Sequence, residues 1–128
     1  MKVKLEKIRN GGLCPVLPTK PPIRDRPLMT IEESQKIEAL FKIFACATRL
    51  RLLHALVRES ELPVNELAAA IAMKPQAVSN QLQRLVDRGI LGSRRDGNKI
   101  FYHITDPCVA NILEHGLCLS EESEKRSR

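Results

Sequence analysis

The sequence predicts a small, mainly α-helical domain with one short β-hairpin, and three observations lead there. Between Met73 and Leu85 the apolar residues Val78, Leu82 and Leu85 recur at i, i+4 and i+7, just after Pro75, a residue suited to the first helical position. After Gly89 the period turns from helical to alternating on either side of Asp96-Gly97, a type I′ hairpin signal. Helix-start signals punctuate the rest, namely the capping box Thr30-Ile-Glu-Glu33 and the pair Asp106-Pro107.

A chain of 128 residues, 43% hydrophobic and 28% charged, has room for one domain whose modest core dimerisation would help. Twenty-one Lys and Arg against fifteen Asp and Glu leave a net charge of +6, which favours a polyanionic partner. No apolar run approaches the ~20 residues of a membrane span, and the N-terminus lacks the apolar core of a signal peptide, so a cytoplasmic protein with no membrane partner is expected. Cys14, Cys46, Cys108 and Cys118 form no CxxC pair and are expected as thiols rather than as a secreted disulfide framework.

Residues 1–29 hold five of the eight prolines and seven basic residues against two acidic ones, and read as a flexible basic Pro-rich arm. The domain proper is placed at residues 30–119. Its first helix runs from the capping box to about Cys46, with Ile37, Leu40, Phe41 and Phe44 as its apolar stripe. A second follows from Thr48 to about Glu59, with Leu50, Leu53, Leu56 and Val57 inward and His54 among them, read as a core or interface histidine. A short third helix spans Pro63 to Met73 through Leu67, Ala68 and Ile71, and a tight connection leads to the Pro75–Leu85 helix. Two short helices joined this way form a helix-turn-helix. The outer face of the second presents Gln76, Ser79, Asn80 and Gln83, side chains that combine donors with acceptors as base-edge reading requires. Arg94, Arg95, Asn98 and Lys99 crowd the tip of the hairpin, placed to straddle a phosphate backbone or enter a minor groove. The last helix is expected from Asp106-Pro107 to about Leu119, with Val109, Ile112, Leu113 and Leu117 apolar, and residues 120–128 as a charged tail.

Helix, helix, helix-turn-helix, basic hairpin and helix in about ninety residues make a winged helix-turn-helix. The stretches Ala47-Thr-Arg-Leu-Arg-Leu-Leu53, Glu61-Leu-Pro-Val-Asn-Glu-Leu-Ala68, Ala77-Val-Ser-Asn-Gln-Leu82 and Asp96-Gly-Asn-Lys-Ile-Phe-Tyr102 together resemble the arsenic-repressor (ArsR/SmtB-type) family of metal-sensing transcriptional repressors. The resemblance implies a homodimer through the first and last helices, bound to double-stranded DNA with two recognition helices in successive major grooves. On that reading Gln76, Ser79, Asn80 and Gln83 face bases, while Lys74, Arg84, Arg94, Arg95, Asn98 and Lys99 serve the phosphates and the wing.

The family's inducer sites are only partly present. The arsenic and cadmium type uses cysteines at the start of the helix before the recognition helix, where this chain has Pro63, Asn65 and Ala68. The zinc type uses Asp-x-His early in the last helix and His-x-x-Glu from the other subunit; Asp106 and Glu122 are in place, but Cys108 and Leu119 stand at the histidine positions. One turn earlier on the same helix face, His115 and Cys118 form a workable i, i+3 pair. Asp106 and Cys108 of one subunit with His115 and Cys118 of the other would suit a soft or borderline inducer such as Zn(II), Cd(II) or Pb(II), with no resident cofactor required. A thiol-redox regulator of the same fold is the alternative, although the second-helix cysteine some members use is here His54. A winged helix serving only as a protein-interaction module would need neither the polar face nor the basic wing. No Gly-rich phosphate loop is present and the three histidines lie on separate elements, so nothing supports an enzyme.

Overall fold

A computed structural model describes residues 21–126. After an exposed 3₁₀ turn, Ile23–Asp25, the chain forms α1 (Ile31–Phe44), α2 (Ala47–Glu59), β1 (Glu61–Pro63), α3 (Val64–Ile71), α4 (Pro75–Asp87), β2 (Leu91–Asp96), β3 (Lys99–Ile104) and α5 (Cys108–Arg126). The strands make one antiparallel sheet in the order β1-β3-β2. Of the basic arm, residues 1–20, with Cys14, lie outside the described residues.

The capping box is complete: the Thr30 hydroxyl accepts from the Glu33 amide at 3.0 Å and the Glu33 carboxylate from the Thr30 amide at 3.0 Å. That carboxyl is held below the usual range by the bond from the Thr30 amide. Only Ile43 and Phe44 of α1 reach the core, whereas Ile37, Leu40 and Phe41 of the predicted stripe are exposed. In α2 the inward residues are Leu52, Leu53 and Leu56; Leu50 points out and Val57 is half-buried, because the helix packs on α3 and the sheet along a face turned from the one expected. His54, read as a core or interface residue, is exposed in this chain and borders an open groove towards α5.

The third strand escaped the sequence pattern, since three residues cannot display an alternation. Pro63 belongs to it and α3 starts at Val64 and ends at Ile71, followed by Ala72, whose φ of 56° is a left-handed cap made without glycine. The hairpin turn falls one residue later than the Asp96-Gly97 signal suggests. Asp96 pairs with Lys99, which leaves Gly97-Asn98 as the loop, and the positive φ occurs at Gly97 (64°) and not at Asn98. Glycine at the first central position is the type II′ requirement, so the expected type I′ turn is replaced. The last helix does not stop at Leu119 but runs on to Arg126 through a stretch rich in Glu, with Lys125 reaching Glu122 at 3.5 Å.

Leu52, Leu53, Leu67, Val78, Leu82 and Leu85 are fully buried in one core shared by α2, α3 and α4, with Leu91 and Tyr102 closing it from the sheet. Leu82→Ala should therefore lower stability by ~2–5 kcal/mol in a urea melt, the range for a buried leucine that leaves a cavity. A loss below ~1 kcal/mol would mean that α4 is not anchored through this face.

Candidate nucleic-acid interface

Two arginines of α2 fix the helix-turn-helix. Arg49 donates through Nε to Gln81 Oε1 of α4 at 2.8 Å and through Nη1 to the Ile43 carbonyl of α1 at 3.1 Å. Arg51 Nη1 donates to the Ile71 carbonyl at 3.2 Å, satisfying an acceptor at the end of α3 just before the turn. With Val78, Leu82 and Leu85 buried, the opposite face of α4 has to point outward. Gln76, Asn80 and Gln83 are exposed there and Ser79 is half-buried at its edge. Lys74 stands at the N-cap position, without a side-chain capping bond, and Arg84 flanks the row; both are exposed.

The row is internally ordered. Gln76 Nε2 donates to Asn80 Oδ1 at 3.5 Å and Gln83 Nε2 to Asp87 Oδ1 at 2.9 Å. Asp87 continues the spacing of the row and was missed by the sequence reading, although its place four residues after Gln83 was the available signal. A carboxylate there orients Gln83 by accepting from its amide.

In the hairpin, register sorts the charges. Directly paired residues share a face, so Arg94 with Phe101 and Gly92 with His103 lie on one side, and Arg95 with Ile100 on the side that continues the core residues Leu91 and Tyr102. Arg94 lies 4.6 Å from the centre of the Phe101 ring and donates to Glu61 of β1, through Nε at 2.9 and 2.8 Å and through Nη2 at 2.6 Å. It clamps the third strand rather than standing free at the tip. The guanidinium holds the Glu61 carboxyl below the usual carboxylate range, and Glu61 in turn raises Arg94. Arg95, Asn98 and Lys99 are exposed, and among the described residues Arg95 and Lys99 enter no ion pair.

The proposed inducer residues all lie on or just before α5. Asp106 Oδ1 accepts from the Cys108 amide at 2.8 Å, so this carboxylate closes the start of the helix. Cys118 is an exposed free thiol and His115 is exposed beside it, whereas Cys108, expected as a thiol, is disulfide-bonded. Ten helical residues separate Cys108 from Cys118, a span of ~15 Å, so one chain cannot bring both to one ion. Among the described residues no group of three His, Cys, Asp or Glu could hold a metal. No helix among them is long and apolar enough to cross a membrane.

A buried helix-turn-helix with an outward polar row, followed by a two-stranded basic hairpin, defines a winged helix-turn-helix protein of the DNA-binding class. A MarR family model matches residues 47–98, from the start of α2 to the wing turn. The chain is 36% identical over 97 residues to a transcriptional repressor SmtB homolog of Synechocystis, covering 76% of this chain and 73% of that one. It is 32% identical over 90 residues to the cadmium resistance regulatory protein CadC of Listeria innocua, with 70% and 76% covered. The crystal structure of the antimony-specific transcriptional repressor AntR superposes with a TM-score of 0.73 at 58% identity, covering 85% of this chain and 98% of that one. The chain belongs to the ArsR/SmtB family of winged-helix transcriptional regulators.

The clamp between β1 and the wing is titratable. A carboxyl with a lowered folded-state pKa stabilises above its unfolded value, ~4.3, and that contribution is lost as pH falls through the folded value. The Glu61 carboxyl should therefore titrate below the ordinary range by carbon-13 NMR, and Arg94→Ala should move its midpoint back up. An unmoved midpoint would remove Arg94 as the cause.

Proposed function

We propose that this chain is a sequence-specific DNA-binding transcriptional repressor, acting in the cytoplasm as a homodimer and released from its operator by a soft metal ion. The observation that carries this reading is the exposed row Gln76, Asn80 and Gln83 on a helix whose other face is fully buried. These amides reach base edges in a major groove, with Ser79 at the margin, while Lys74, Arg84, Arg95 and Lys99 approach phosphates and Asn98 sits at the wing tip. Arg94 holds the wing in shape and contributes only its field. The row gives the chain a DNA-reading role, and no residue is assigned a catalytic one.

The dimer rests on the apolar surface left open by α1 and α5. Phe41 is 52% exposed, Leu117 58% and Leu119 63%, and an open groove of about 1030 Å³ runs between α2 and α5. Exposed apolar surface of this extent on two neighbouring helices marks an interface. Antiparallel α5 helices of two subunits would bring Asp106 and Cys108 of one to His115 and Cys118 of the other. Thiolates with an imidazole suit Zn(II), Cd(II) or Pb(II), and the antimony-specific relative adds antimony to the elements to be tried. The bound ion would supply a cross-link between subunits; Cys108 must first be reduced, because the thiolate is the ligand.

Asn80→Ala and Gln83→Ala should each weaken binding to duplex from the region upstream of the gene by ~1–3 kcal/mol and narrow the gap to random duplex, with the melt unchanged. Variants that discriminate as well as the parent would refute the recognition-helix assignment. For the inducer, the reduced dimer should bind about one Cd(II) per subunit with a thiolate-to-metal absorption band that Cys118→Ser removes. Cd(II) bound as tightly by a Cys108→Ser, Cys118→Ser double variant would rule the α5 site out.

A further inference from the structure

A second basic feature adjoins the base-reading row and lies off the wing. A cleft of about 410 Å³ opens between the C-terminal parts of α1 and α4, walled by Lys42, Ile43, Arg49, Arg84, Asp87 and Arg88. Four cations there face one carboxylate. Arg49 is half-buried and its two bonds, to Gln81 and to the Ile43 carbonyl, go to neutral acceptors, so they orient the guanidinium without cancelling its charge. Arg84 and Arg88 are exposed and enter no ion pair among the described residues. Lys42 has only a 3.9 Å pairing with Glu38, solvated on both sides, which a better anion displaces at little cost. The single carboxylate, Asp87, already accepts from Gln83.

Asp87 also fixes where the cleft faces. It ends the row that begins at Gln76 and it lines the cleft, so the cleft opens at the C-terminal margin of the base-reading face, on the α1 side. A helix lying in a major groove has a phosphate strand on each flank. We infer that this cleft takes a phosphate of the DNA backbone, with Lys42 and Arg88 as contacts beside Arg84 and with Arg49 as the fixed charge behind them. The inference rests on the proposed DNA-binding role and extends the footprint from the helix-turn-helix and wing to the end of α1. Guanidinium and ammonium groups around one concavity match the charge and the several acceptor oxygens of a phosphate.

Fluorescence anisotropy against random-sequence duplex and against upstream duplex, over a range of salt concentrations, tests it. Lys42→Ala and Arg88→Ala should each lower affinity for both duplexes alike, by roughly five- to tenfold near 0.1 M salt, and make the slope of log K against log salt shallower by about one unit. Lys42→Arg should restore the parental slope. Both substitutions fall on exposed side chains, so the melt should not move. Parental slopes in both alanine variants, or a loss confined to upstream duplex, would overturn the cleft. If Gln83→Ala still relaxes sequence preference in that titration, the functional reading survives the cleft's failure; a parent that binds no duplex overturns both.

Discussion

The complete burial of one face of α4 is the constraint on which the rest of the structure depends. Val78, Leu82 and Leu85 have no exposed surface, and Leu52, Leu53, Leu56 and Leu67 meet them from α2 and α3. A helix with 3.6 residues per turn and one apolar third fully covered cannot rotate without exposing several leucines, each worth ~1.5–3 kcal/mol of burial. The outward direction of Gln76, Asn80 and Gln83 is therefore held by packing that those residues do not themselves make. Arg49 and Arg51 add directional bonds across the joints between α1, α2, α3 and α4, which locks the tilt of the recognition helix as well as its rotation.

The basic charge of the chain is sorted by what each cation touches. Arg94 is spent on Glu61 and Phe101, so it stabilises the sheet, whereas Arg95, one residue on, points from the other face and enters no ion pair among the described residues. Arg49 is ordered by neutral acceptors and keeps its field. This division explains how a chain with a net charge of +6 presents positive potential at the hairpin tip and beside α4 without repelling itself apart in the core.

The surface proposed to bind DNA and the surface left apolar are joined through α2, which packs on α3 and the sheet and borders the α5 groove. An ion drawing two α5 helices together, as proposed, would change the relation between two recognition helices only if it prefers one arrangement of the subunits. The same coupling then makes DNA oppose the ion, by an equal free energy. Arrangement of subunits, rather than a change within one compact core, is the economical route for such coupling in a fold whose helix-turn-helix is rigidly packed.

By itself the sequence determined the five helices, the helix-turn-helix, the wing and the polar row, because each is a local signal: an apolar period, a capping box, a proline at N1, a glycine in a turn. The structure decided what local signals cannot carry. The strand β1 has only three residues and exists because β3 offers it an edge. The turn moved by one residue, and the register that results sets Arg94 opposite Phe101 and Arg95 opposite Ile100, since register depends on the partner strand as much as on the loop. Leu50 and, in α1, Ile37, Leu40 and Phe41 proved outward-facing because periodicity shows that a helix has an apolar face but not which chain covers it. The cleft of Lys42, Arg84 and Arg88 brings together residues some forty positions apart in the sequence, and only the tertiary placement of α1 beside α4 makes them neighbours.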